Sequence, residues 1–156
     1  MKYEEYSNII SKAVTMMTHQ QQVATATACS ISLFPFYLKW SAKEQWGDAA
    51  AIIEAHDILS SWLAGNQPDM VRIATLINRV EKATPDTSEF NCGYLCSFSL
   101  NACCACLDSL NVLQFAKPEE VLDSLLMRYE TVSFIVEGEL NSEIDINQEY
   151  LAQVQL

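Results

Sequence analysis

The stretch Phe90–Leu107 carries no charge between Glu89 and Asp108 and holds five of the six cysteines of the chain. It reads Phe-Asn-Cys-Gly-Tyr-Leu-Cys-Ser-Phe-Ser-Leu-Asn-Ala-Cys-Cys-Ala-Cys-Leu. Such a stretch is either a helix buried on nearly every side or a metal or redox centre, and the spacing decides between them. Cys92, Cys96 and Cys103 fall at i, i+4 and i+11. On one helix, residues eleven apart are separated by about 16 Å along the axis, so the three thiols cannot share one ion. Cys103-Cys104-Ala105-Cys106 is not a Cys-x2-Cys knuckle, and His19 and His56 are remote in sequence. Structural zinc needs four convergent ligands. The cysteines are therefore read as small apolar groups of a central helix, 94–113, and neither metal nor cofactor is expected.

The rest of the chain is consistent with a helical module. Half of its 156 residues are hydrophobic, with only four Gly and four Pro. That density leaves too few turn residues for a sandwich of short strands. A chain of this length buries roughly 70% of its unfolded surface and needs no disulfide or metal to fold. The expectation is a single domain over 1–156, all-α, a bundle of six to seven helices around the central one. Apolar residues at helical spacing mark a first helix over Lys2–Met17 and a second through Val23, Thr27, Ile31, Phe34 and Leu38. Pro35 is expected to kink or interrupt the second, leaving Phe36–Trp46 as a separate segment. Asp48 caps a helix that Gly65 closes. Another follows from Met70 to Val80. Pro118-Glu119-Glu120 opens one that Gly138 ends or bends. Ile144, Asn147, Leu151 and Val154 allow a short final helix.

Net charge is −11. This excludes the basic surface that nucleic acid or an anionic membrane requires. The excess is concentrated late in the chain: nine acids against two bases from Lys117 to Tyr150, against eleven and seven before it. The opening Met1-Lys-Tyr-Glu-Glu-Tyr lacks the basic start and apolar core expected of a signal peptide. The longest nearly uncharged run, Ala13–Leu38, is broken by His19 and three glutamines, so a cytoplasmic protein is expected.

Catalytic patterns are absent. No nucleophile elbow, phosphate-binding glycine loop or HExxH occurs. Glu54-Ala55-His56 has the wrong spacing for a di-iron helix. His56 is read as a satisfied core or boundary residue, and His19 as a helix-start or surface residue. The aromatic group from Phe34 to Trp62 is read as core.

Gln22-Val23, Ala28-Cys29, Phe34-Pro35-Phe36-Tyr37 and Trp46-Gly47-Asp48 resemble the N-terminal signature of the YjaG-like bacterial family of unknown function. Lys82-Ala-Thr-Pro-Asp and Asn101-Ala-Cys-Cys-Ala-Cys-Leu resemble its second signature. The resemblance covers roughly residues 20–110, while the C-terminal third looks unlike that family. It implies a cytosolic all-α bundle and no activity, cofactor or site residues.

The functional expectation is a non-catalytic, acidic inhibitor that binds a basic protein partner. Its specific form is an immunity protein that neutralises a cognate secreted toxin, a nuclease whose phosphate-gripping cleft is basic. Glu130, Glu137, Glu139, Glu143, Asp145 and Glu149 are the contact candidates. The alternative is a housekeeping helical protein acting as a homodimer or adaptor.

Overall fold

The computed structural model describes residues 2–90 and 93–141. Among them the chain is all-α, with six helices and no strand. These are α1 (Tyr3–Thr15), α2 (His19–Glu44), α3 (Ala49–Leu63), α4 (Met70–Ala83), α5 (Tyr94–Gln114) and α6 (Pro118–Asn141).

Local chemistry sets the boundaries. Thr18 opens α2 with a capping box: the Gln21 amide donates to its hydroxyl, and its own amide donates to the Gln21 side chain. Asp48 caps α3 by accepting from the Ala51 amide at 3.0 Å, and Asp69 caps α4 by accepting from Val71 and Arg72. Asp48 is also tied to α4, because Arg79 grips its carboxylate through Nε and Nη2 and reaches Glu54 through Nη1 at 2.9 Å.

The core is the seam between the two most apolar helices. On α5, Cys96, Ser99, Cys103, Cys106, Leu110 and Leu113 are all buried and follow one another in alternating steps of three and four. On α2 the same spacing picks out Val23, Ala26, Ser30, Leu33, Tyr37 and Trp40, all fully buried. The helices run antiparallel. His19, at the start of α2, donates from Nε2 to the Val112 carbonyl near the end of α5, and Ser99 Oγ lies 3.2 Å from the Phe36 carbonyl. Small Ala, Ser and Cys side chains let the backbones approach closely, and each large residue fills the space beside them. The expected central helix is thus confirmed. α5 is long and apolar enough to cross a membrane by composition, and it is packed against α2, α3, α4 and α6.

Three sequence expectations are corrected. Pro35 does not interrupt α2, which runs unbroken through it. The carbonyl that loses its donor belongs to Ile31, and both residues lie on the outer face of α2, where water can take the place of the missing amide. The α2 stripe was expected to bury Ile31 and Leu38, but these are 47% and 43% exposed. The buried face is rotated toward Ser30 and Leu33. Finally, α6 continues through Gly138 to Asn141. The cost of a helical glycine, ~1 kcal/mol, is small enough for the rest of α6 to carry. The short final helix through Ile144 and Val154 lies outside the described residues.

Candidate functional site

Cys96, Cys103 and Cys106 sit in the α2–α5 seam, Cys104 is half-buried, and Cys29 is buried on α2. Cys92 lies outside the described residues. Burial raises the thiol pKa values, to about 11 for Cys29 and about 12 for Cys106, and that of Cys103 moves beyond the thiol range. A reactive thiol needs the opposite shift. Among the described residues no three His, Cys, Asp or Glu side chains converge as a metal set would require.

Sequence reasoning placed His56 at the core boundary but did not find its partner. Ser30 Oγ lies 2.8 Å from His56 Nε2, and the Phe34 ring meets the imidazole edge-on. The pair has the distance of a nucleophile and its base, but Ser30 is fully buried beside the Cys106 thiol. Burial lowers the His56 pKa to about 4, with Asp57 opposing the shift. A base that weak, beside a hydroxyl with no opening to solvent, acts as a polar pin between α2 and α3. His19 is likewise a tie, from α2 to α5, and its ring lies 5.1 Å from that of Trp62.

Asp108 is the most perturbed carboxylate. Burial raises its pKa to about 7, with Glu120 and Asp123 adding to the rise and the Ser124 hydroxyl, 3.2 Å away, opposing it. Between the ordinary carboxylate value of 3.8 and about 7, the folded chain holds a proton that the unfolded chain releases. Stability therefore falls as pH rises through that window. His56 acts in the opposite direction. Between 6.5 and about 4 the unfolded chain binds a proton that the folded one refuses, so stability is lost as pH falls. Asp108→Asn is expected to raise stability at pH 8 by ~1–2 kcal/mol after allowance for partial solvent access. Thermal melts of the two proteins at pH 5 and pH 8 check this: the gain appears at pH 8 and shrinks at pH 5. Equal melting temperatures at pH 8 would mean that Asp108 ionises without cost.

Two surface features remain. On α6, Glu119, Asp123, Glu130 and Glu137 are all exposed, and residues seven apart on a helix return to the same face within about 20°. Phe134, 44% exposed, lies within this face and meets the Tyr94 ring at a tilt and the Phe98 ring edge-on, at 5.5 and 5.6 Å. Of the sequence candidates, Glu130 and Glu137 are thus brought together on one acid face. Glu139 lies in the same helix. Glu143, Asp145 and Glu149 are outside the described residues. Glu119, Asp123 and Phe134, which complete the face, were not among the candidates, although the step of seven from Asp123 to Glu130 to Glu137 was available to find Asp123.

The second feature is an apolar groove of about 770 Å³ on the other side of α6, lined by Ala24, Ala28, Ile31 and Pro35 of α2 and by Leu125 and Arg128 of α6. Arg128 also lowers the Cys29 pKa against the larger effect of burial.

A family model described as "Protein of unknown function (DUF416)" matches residues 9–156. The match takes in the C-terminal third, which the sequence motifs had set apart. The fold is similar to the crystal structure of a DUF416 family protein from Shewanella baltica OS155, with a TM-score of 0.72 and 22% identity, covering 92% of this chain and 72% of that one. At that identity the likeness concerns the fold alone. None of the curated proteins matches the chain.

Proposed function

We propose, for a chain that belongs to the DUF416 family of proteins of unknown function, a non-catalytic role: binding a basic protein partner through the outer face of α6. The observation that carries the proposal is the alignment of Glu119, Asp123, Glu130 and Glu137 along that face with Phe134 exposed among them. From Glu119 to Glu137 the line runs about 27 Å along the helix, long enough to span one side of a basic cleft. Aromatic residues supply contact area, and aligned acids steer a cationic partner and set its register. The most specific form of this reading is an immunity protein that covers the phosphate-binding cleft of a cognate nuclease toxin in the cytoplasm. The signatures between Gln22 and Asp48 further support a likeness to the YjaG-like proteins.

The reading is tested by co-expression with the product of the neighbouring gene, which the proposal takes to be the toxin. Wild type is expected to restore growth, and Glu130→Lys with Glu137→Lys is expected to lose that rescue while melting within 2–3 °C of wild type, a shift of about 1 kcal/mol. Binding of the purified pair should weaken at least tenfold between low and high salt. Rescue that survives both charge reversals, or binding indifferent to salt, removes the acid face from the interface.

A further inference from the structure

The groove on α2 has the geometry of a helix seat. Ala24, Ala28, Ile31, Pro35 and Leu38 follow one another at steps of four, three, four and three. This is the spacing of a coiled-coil seam, and α2 therefore carries two of them. Its inner seam is filled by α5. Its outer seam borders the groove, with Ile31 at 47% and Leu38 at 43% exposure. No Asp, Glu, Lys or Arg occurs in α2 before Lys39. A helix that is apolar all round belongs in an interior. The small side chains of Ala24 and Ala28 allow a second helix to approach closely, and the regular spacing selects a helix over a compact ligand.

We infer that the outer seam of α2 is a docking site for residues 142–156 of this same chain. Three observations select that occupant. The first is pattern. Ile144, Asn147, Leu151 and Val154 are spaced three, four and three. Read along α2 in the reverse direction, Leu38, Pro35, Ile31 and Ala28 have the same spacing. Each set spans eleven residues, ten steps or about 15 Å of helix, so every residue of one meets a counterpart in the other.

The second is direction. α5 runs antiparallel to α2, with Ser99 beside Phe36, and antiparallel to α6, with Asn101 bonded to Thr131. α2 and α6 therefore run the same way, and Asn141 lies toward the C-terminal end of α2. A segment that turns there and comes back along α2 meets Leu38 first and Ala28 last, which is the order the pattern requires. The third is charge. Residues 142–156 contain Glu143, Asp145 and Glu149 and no base. Arg128 lines the groove, and Lys39 and Lys43 are exposed on α2 beyond Leu38, while Glu139 lies in the last turns of α6. With Ile144 and Leu151 turned inward, Asp145 and Glu149 fall on the outward side. The seat and the acid face occupy opposite sides of α6, so the inference stands independently of the partner proposed above.

The test uses the full chain and hydrogen exchange of the amides from 147 to 154. These are expected to exchange at least tenfold more slowly than in a synthetic peptide of residues 142–156. Ile31→Lys and Leu151→Glu should each bring them to the peptide rate. The exchange of α5 amides should stay unchanged, because Ile31 is outside the core, and far-UV circular dichroism should lose no more than the helical signal of the released segment. Combining the two substitutions puts opposite charges at matched positions and should restore at least threefold protection. Exchange at the peptide rate in the wild type overturns the inference. So does protection that Ile31→Lys leaves intact, since the segment would then be seated elsewhere. Protection that disappears on dilution, together with a dimer in sedimentation that Ile31→Lys dissociates, makes a second copy the occupant and overturns docking within one chain.

Discussion

Cys103→Asp is expected to yield no folded protein. The thiol is fully buried where α5 meets α2 and α4, with its sulfur 3.8 Å from the Ala83 carbonyl. A carboxylate there would face an oxygen that already accepts a hydrogen bond from the Tyr37 hydroxyl at 2.9 Å. Among the described residues no cation acts on this position. An unpaired buried charge costs several kcal/mol even after it neutralises by taking up a proton, against a total stability of ~5–15 kcal/mol. Cys103→Ala separates charge from volume. It removes one sulfur from a packed seam and should cost only about 1–2 kcal/mol. Soluble yield, far-UV circular dichroism and urea unfolding check both. If Cys103→Asp folded with the melting temperature of wild type, the seam would be open to water and the thiols available for chemistry.

The second large effect is expected at Trp40. Its ring is fully buried and meets Tyr37, Trp46 and Phe90 at 5.6, 5.4 and 5.1 Å. Trp40→Ala should destabilise by about 3–5 kcal/mol, the sum of lost apolar contact and the cavity left behind. The indole N–H has no hydrogen-bond partner among the described residues. Trp40→Phe removes that donor as well as some volume, so its cost should fall well below half that of alanine. Denaturant melts of the two variants decide the matter. Equal losses would mean that the indole nitrogen, rather than the aromatic bulk, holds this end of the bundle.

Beside this cluster, one hydroxyl joins three helices. Tyr37 donates to Ala83 at the end of α4 and accepts from the Asp48 amide at the start of α3. Gly47 sits at φ +98°, and a side chain there would run into the same hydroxyl. The glycine is therefore required twice, once by its backbone conformation and once by its neighbour.

Much of this architecture was legible in the sequence where the signal is local. Gly47-Asp48, Gly65 and Pro118 mark boundaries because caps and breaks depend on residues a few positions apart. The 94–113 helix was legible because its thiols could not converge on an ion. The inner face of α2 was not. Ala, Ser, Thr and Cys occupy several of its sides, so periodicity alone does not distinguish the face toward α5 from the one left outside. Ser30 with His56, and Arg79 with Asp48 and Glu54, are pairs 25 to 31 residues apart, and no spacing rule connects them. Of the acid face, the charges could be read from the sequence. Phe134 could not, because an aromatic residue within an amphipathic helix is ordinarily core.

The two-sided character of α2 has a consequence for the order of synthesis. The α2–α5 seam joins residues such as Phe36 and Ser99, 63 positions apart. At about 5–20 residues per second, α2 waits roughly 3–13 s for the helix that covers it. During that interval both of its apolar sides are exposed to other nascent chains. α3 is made first and covers part of α2 by pinning His56 against Ser30, which makes the α2–α3 hairpin the earliest shelter available to the growing chain.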